Sequence, residues 1–390
     1  MKKRTSCVVI GLLLAVLAKT TWAYPPDNAA VLYYWAFSLL GHPSEADRRN
    51  AVVDYAKGKI PLNEDIEQIL KSQKWAISLM GDASSVDHCD WGLDYSKGIQ
   101  TRFPELHKAR FAAGLLAADA KQLMQEGDTR EALRRLLTIH RMARHIANEV
   151  PVFYVLGVSM SELSNQILAD ALSDKALGEE TFVWLKTEMA RAGPQRGGLQ
   201  SSVGKEARSM VHSFTVENWP QFLKDCAVDS EDAHDLRRAL KKVGPVDDAL
   251  LRDTRQYYVE LMTEIQAAME KPFDQAYPIL QRLEKKPGED IDQEPDAIAA
   301  FMLKEAVYAR CLCIDTRCQT RLNAVRVAID LHLTRIRTGR LPDALPPGLP
   351  QDLFSGRDFS YEKTEEGFVL RCHAPDPSKE TIHEYSFKVN

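Results

Sequence analysis

From Asp27 to about Arg337 apolar residues recur at three- and four-residue intervals. A pattern of that period, kept up over so long a stretch, is buried only when amphipathic helices stack on one another. Punctuation residues divide it. Residues 28–40 read as a first helix that stops at Gly41, Ser44 can cap a second, and Asn63 a third, with Glu64 and Asp65 in its first turn. Pro104 suits a first helical position, and 105–126 is periodic until Gly127. Asp128 caps the next helix, which runs to about Val150 and meets Pro151; 152–172 is a mostly apolar third segment, with a break at Gly178. Short connections between long helices force antiparallel neighbours. Further helices are expected at 180–192, 201–214, 230–243 and 245–269, and the acidic loop 288–296 precedes a long helix over 297–338. Residues 84–98 lack periodicity and read as a loop.

The pattern changes after Thr338. Arg335 and Arg337 occupy a last helical turn, Gly339 can take the left-handed cap, and Pro342 prevents continuation. Residues 359–362 and 368–372 form a hairpin around Thr364-Glu365-Glu366-Gly367, and 384–389 alternates Tyr385, Phe387 and Val389 with polar neighbours. The expected fold class is therefore mainly α, a multi-helix antiparallel bundle or layered helical array over 24–338. A small C-terminal antiparallel β-sheet, in 339–390, packs on the last long helix. Phe359, Tyr361, Phe368 and Leu370 should face a stripe of Leu322, Val325, Ile329, Leu333 and Ile336, since three short strands need a helix over their apolar side.

Residues 1–23 form a signal-peptide pattern: Lys2, Lys3 and Arg4, an apolar run from Cys7 through Ala18, and Thr21-Trp22-Ala23 before Tyr24. The run is too short for a membrane span. The expectation is export to a periplasmic or extracellular location, without membrane insertion after signal removal. Taking Lys2, Lys3, Arg4 and Lys19 from 50 basic residues against 55 acidic ones leaves a net charge of about −9, which argues against nucleic acid as a partner. Six of the seven cysteines remain. In an oxidising compartment Cys89, Cys311, Cys313, Cys318 and Cys372 are disulfide candidates, although Cys311 and Cys318 would stand about 10 Å apart on one helix and cannot bond to each other.

No catalytic, cofactor or metal motif survives its geometry. Gly157-Val158-Ser159-Met160-Ser161 lacks the second glycine of a nucleophile elbow. Ser202 and Lys205 have Ser-x-x-Lys spacing without companion boxes. His140 and His145 lie about 140° apart around a helix, and Pro295 occupies the sixth position of the acidic run Asp290, Asp292, Glu294, Asp296, where a calcium loop needs glycine. Gly127-Asp128-Thr129 is an ordinary helical-hairpin turn, and Arg130, Arg134, Arg141 and His145 make a basic face open to an acidic partner. The candidate binding residues are His88, Asp90, Trp91, Asp94 and Tyr95, which mix aromatic, acidic and titratable groups in one loop.

Two resemblances complete the reading. Thr338-Gly339-Arg340-Leu341-Pro342, Leu345, Asp352-Leu353-Phe354-Ser355-Gly356, Tyr361 and Phe368-Val369-Leu370 resemble the C-terminal part of a type II secretion major pseudopilin, with Leu353 where that family carries proline. Cys89 before Trp91-Gly92-Leu93-Asp94-Tyr95, with helices around Gly127-Asp128, is similar to exported bacterial helical proteins that end in such a segment. The first implies a helix-turn-sheet module and an envelope protein as partner; the second implies an architecture and no activity. The expected function is an exported helical binding or scaffold protein without catalysis or cofactor. The alternatives are a periplasmic hydrolase or other enzyme, and an accessory of an envelope or secretion assembly.

Overall fold

Thirteen α-helices and three strands stand among the residues that the computed structural model describes, namely 27–40, 46–101, 106–174, 177–192, 197–226, 246–290 and 307–389. The signal pattern in 1–23, Gly41, Ser44, Pro104, the helix expected over 230–243 and residues 291–306 lie outside them. Helices start where a side chain can cap them. Asn28 accepts from the Ala30 amide at the head of α1 (Ala29–Leu39), and Asn63 accepts from the Ile66 amide at the head of α3 (Glu64–Ser72). Between them lies α2 (Ala46–Ala56), and Gln73 separates α3 from α4 (Lys74–Ser84), so the third expected helix is two. A 3₁₀ turn, Tyr95–Gln100, breaks the expected loop, and another, Leu106–Lys108, leads into α5 (Ala109–Glu126). Asp128 then accepts from Glu131 N–H at the head of α6 (Thr129–Ala147).

Helices α7 (Pro151–Asp174), α8 (Glu179–Ala192) and α9 (Gly198–Met210) follow, then α10 (Trp219–Cys226), α11 (Asp248–Met269), α12 (Phe273–Asp290) and α13 (Tyr308–Thr338). The sequence pattern foresees neither α10 nor α12, and Gly288–Asp290, expected in the acidic loop, closes α12.

Helix α6 is the centre. It packs against α4, α5, α7 and α8, and Leu133, Leu136, Ile139, His140, Ala143, His145 and Ile146 bury most of its circumference. Two apolar cores result. One joins α1 to α8 with the second half of α13 and the sheet; the other joins the start of α7 to α9 through α12 and the first half of α13. Helices α7 and α13 contribute to both. At the α6–α7 crossing Gly157 brings backbone against backbone: a Cβ there would stand 2.5 Å from the Ala143 carbonyl oxygen.

The sheet is antiparallel in the order β1 (Ser360–Lys363), β2 (Gly367–Arg371), β3 (Glu384–Lys388), with Leu370 opposite both Tyr361 and Tyr385. Phe359, Phe368, Leu370, Tyr385 and Phe387 are buried, Tyr361 is half-buried with its hydroxyl donating to the Pro342 carbonyl, and Glu365 and Glu366 are exposed at the turn. His332 of α13 meets Phe368 edge-on at 5.9 Å. Ile336, assigned to the covering stripe, is 43 % exposed, and α7 supplies part of the cover instead: β3 packs on it, and Ser173 Oγ accepts from Lys388 N–H.

Two turns of one design precede the outer strands. Asp352 accepts from the Phe354 amide and from Ser355 Oγ, and pairs by backbone with Arg357 before β1. Asp376 accepts from the Ser378 amide and Oγ, and pairs with Thr381 before β3. Gly356 at φ +67° and Glu380 at φ +54° hold the corresponding fourth position after each aspartate.

The disulfide expectation is corrected. Cys89, Cys311, Cys313, Cys318 and Cys372 are free thiols. They sit on different walls: Cys89 in the loop over α1, Cys313 by Ser378, Cys318 with its thiol toward the Val158 carbonyl, and Cys372 by Asp352. Burial first, then nearby carboxylates, pushes Cys89 and Cys313 up to about 12 and Cys311 up to about 11, so each stays a protonated, packed thiol.

Candidate functional site: a polar cleft at the end of α6

Asn28 fixes the loop that leaves α4. Its side chain donates to the Asp90 carbonyl at 2.7 Å and accepts from Asp90 N–H at 2.9 Å, while Ala29 N–H donates to the His88 carbonyl at 2.8 Å. Trp91 anchors the same loop. It is 3 % exposed, stacks on Tyr33 and Phe37 with centroids 5.5 and 6.3 Å apart, and donates its indole N–H to the His145 carbonyl at 3.1 Å. The loop is thereby laid across the C-terminal end of α6.

A cleft of about 550 Å³ opens there, lined by Asp87, His88, Cys89 and Asp90 from the loop, Arg144, His145, Asn148 and Glu149 from the end of α6, and Lys205 from α9. Glu149 is 5 % exposed and accepts a hydrogen bond from the Tyr95 hydroxyl; Lys205 lies 3.6 Å from the same carboxylate and also donates to the Asn148 carbonyl. Burial raises the Glu149 carboxyl above its ordinary value, against the lowering effect of Tyr95 and Lys205. Burial, then the charge of Arg144, lowers the His145 imidazole to about 4, so it is neutral, and its Nδ1 meets the Tyr33 hydroxyl at 3.2 Å. Arg144 gives one N–H to the Arg191 carbonyl at 2.9 Å and stands 3.9 Å from the exposed Asp87 carboxylate.

The five candidate loop residues divide three ways. His88 and Asp90 line the cleft, and Tyr95 reaches its buried carboxylate. Trp91 is a core anchor. Asp94 is an exposed cap of the 3₁₀ turn, accepting from the Ser96 amide and hydroxyl, which lower its carboxyl pKa. Arg144, Asn148, Glu149 and Lys205 carry no signal in the loop sequence, because they come from turns of chain far apart in number, and Asp87 and Cys89 are loop residues outside the candidate binding set. The basic face is dispersed: Arg134 pairs with Glu131, Arg141 with Glu188, Arg130 lies 3.8 Å over the Trp184 ring, and His145 is buried. Ser202 is buried and does not line the cleft that Lys205 enters, so the Ser-x-x-Lys spacing carries no paired chemistry there.

Among the described residues no three of His, Cys, Asp and Glu converge in a metal-ligating arrangement, and no helix is long and apolar enough to cross a membrane. No protein-family model, curated protein or solved structure matches the chain.

Proposed function

We infer that the chain is an exported small-molecule-binding protein, and that its site is the cleft at the end of α6. The observation that carries the reading is Glu149: a buried carboxylate at the wall of an open cleft, held by Tyr95 and Lys205 and flanked by Arg144, Asp87 and Asp90. Ligand sites are concavities of about 300–1,000 Å³, and this cleft has that size, with a lining of charged and polar side chains that suits a small ionic ligand rather than an apolar one. Export rests on the charged start and apolar run of residues 1–23.

Binding is favoured over catalysis by the state of Cys89, the thiol on the cleft wall. A reactive thiol needs a lowered pKa, whereas burial and the Glu149 and Asp90 carboxylates drive Cys89 up to about 12. Glu149 and Lys205 are committed to each other, which shapes and charges a pocket rather than poising a base.

The test is retention. Purified mature protein, exposed to a small-molecule extract of the exporting cell and washed, should hold a stoichiometric compound detectable by mass spectrometry. The Asn148→Trp variant, which fills the mouth from an exposed position, should keep its helical circular dichroism and lose that compound. A wild-type protein that retains nothing would sink the reading.

A further inference from the structure

The cleft has an inner neighbour. Arg144 and Asn148 line both it and a second, partly open cavity of about 50 Å³ between α6, α7, α9 and α13. Small residues leave this space. Gly157 draws α7 onto α6, Ala143 and Ala147 supply only methyl groups, and Gly198 approaches so closely that a Cβ there would stand 2.8 Å from Tyr154 Cε2. An engineered apolar cavity of about 150 Å³ admits the six carbons of benzene, so a third of that volume suits about two to three heavy atoms and excludes a ring.

One group on the wall has no counterpart. His140 is 3 % exposed, lines the inner cavity, and its Nε2 has no hydrogen-bond partner among the described residues. Asp315, on the same wall, is already satisfied: Tyr154 Oη donates to one oxygen and Gln319 Nε2 to the other, both at 2.7 Å. A buried imidazole nitrogen without a partner costs free energy unless something entering the space bonds to it. At the mouth, charges of both signs are on offer. Arg144 has donors beyond its single bond to the Arg191 carbonyl, and Asp87 and Asp90 are exposed on the facing loop.

Resting on the reading of the cleft as a binding site, we propose that its occupant is an α-amino acid with a short hydroxyl-bearing side chain. Its carboxylate pairs with Arg144 and Asn148, its ammonium group with Asp87 and Asp90, and its side chain enters the inner cavity with the hydroxyl on His140 Nε2. Threonine, whose three side-chain heavy atoms are the most this space holds and which has valine as its hydroxyl-free isostere, is the probe.

Isothermal titration of the mature protein tests this. Threonine should bind saturably at one site, and valine, its isostere without the hydroxyl, about tenfold or more weakly, because a site built around a hydroxyl penalises its loss. Glycine, 3-hydroxybutyrate and 1-amino-2-propanol, which lack the side chain, the ammonium and the carboxylate respectively, should each weaken by a similar factor. Arg144→Gln should abolish threonine binding and Arg144→Lys restore part of it. His140→Phe should erase the preference for threonine over valine while leaving valine bound. Ala147→Leu, which fills the inner cavity, should lose threonine and keep glycine. Absence of saturable threonine binding overturns the proposal, as does binding indifferent to Arg144→Gln. If the Asn148→Trp-sensitive compound retained from extract proves not to be an amino acid, this proposal falls and the binding function stands; if nothing is retained, both fall.

Discussion

Arg317 of α13 donates from Nε to Asp376 Oδ2 at 2.6 Å, so the last long helix grips the second of the two aspartate turns through a carboxylate with no exposed surface. Burial acts to raise that carboxyl, yet hydrogen bonds from Arg317, Ser378 and His383 outweigh it and hold the group at about 2.

Asp376→Asn should therefore destabilise the protein by about 2–4 kcal/mol, since it leaves Arg317 facing an amide at a site built for a charge. Wild-type stability from this group is complete above the ordinary carboxylate pKa near 4 and is lost as pH falls toward 2. Urea denaturation of the two proteins should differ at pH 7 and converge at the acid end. A constant difference across that range would show that the charge is immaterial.

His140, His145 and His332 predict a separate pH dependence, at higher pH. Burial is the largest cause in all three, reinforced by Arg326, Arg144 and Arg335 in turn, and each imidazole falls to about 4 from 6.5. The folded state keeps them neutral while the unfolded chain takes up protons, so stability is full above pH 6.5 and declines as pH falls to about 4. Three imidazoles titrating together make this a substantial share of the acid-side loss of stability. The urea midpoint should drop through this window, and less steeply in His332→Phe, whose ring can keep the stack on Phe182 and the edge contact with Phe368. An equal slope in that variant would count against this account of His332.

Glu380→Gly should raise stability by about 0.5–1 kcal/mol. Glu380 is exposed and is the one non-glycine residue at positive φ among the described residues, where a Cβ costs about 1–2 kcal/mol, offset in part by the greater freedom of glycine in the unfolded chain. Gly356→Glu, at the matching place in the first turn, should cost a similar amount. Thermal melts of both variants check this; a loss of stability in Glu380→Gly would mean that the side chain serves the turn.

Export predicts that native protein begins at Tyr24 and collects outside the cytoplasm. N-terminal sequencing of fractionated cells decides it, and an intact Met1 on the bulk of the protein would rule it out.

Sequence legibility followed local causes. The Gly127-Asp128 turn, the Asn63 cap and the Gly339 stop act within a few residues, so α5, α6, the start of α3 and the end of α13 could be read directly. Helix α12 was hidden by Pro278 and Pro287, which read as breakers although the chain stays helical through both. The site was half legible. Its loop stands out by composition, but Tyr95 meets Glu149 across 54 positions, and no short-range period reports a pairing that comes from laying the loop across the end of α6. His145 was misplaced on a solvated face for a related reason: α6 is central, so the position that would be surface on an outer helix lies against Tyr33.

The close approach of Gly157 to the Ala143 carbonyl leaves α6 and α7 no room to slide at that crossing, so the pair should behave as one rigid plate. That plate is the fixed jaw of the cleft. On the α9 side the cleft is closed by Lys205, through its bond to the Asn148 carbonyl and its pairing with Glu149. Ligand traffic should keep the tempo of those contacts, quickened by whatever draws Lys205 away and indifferent to changes made deep in the α6–α7 seam.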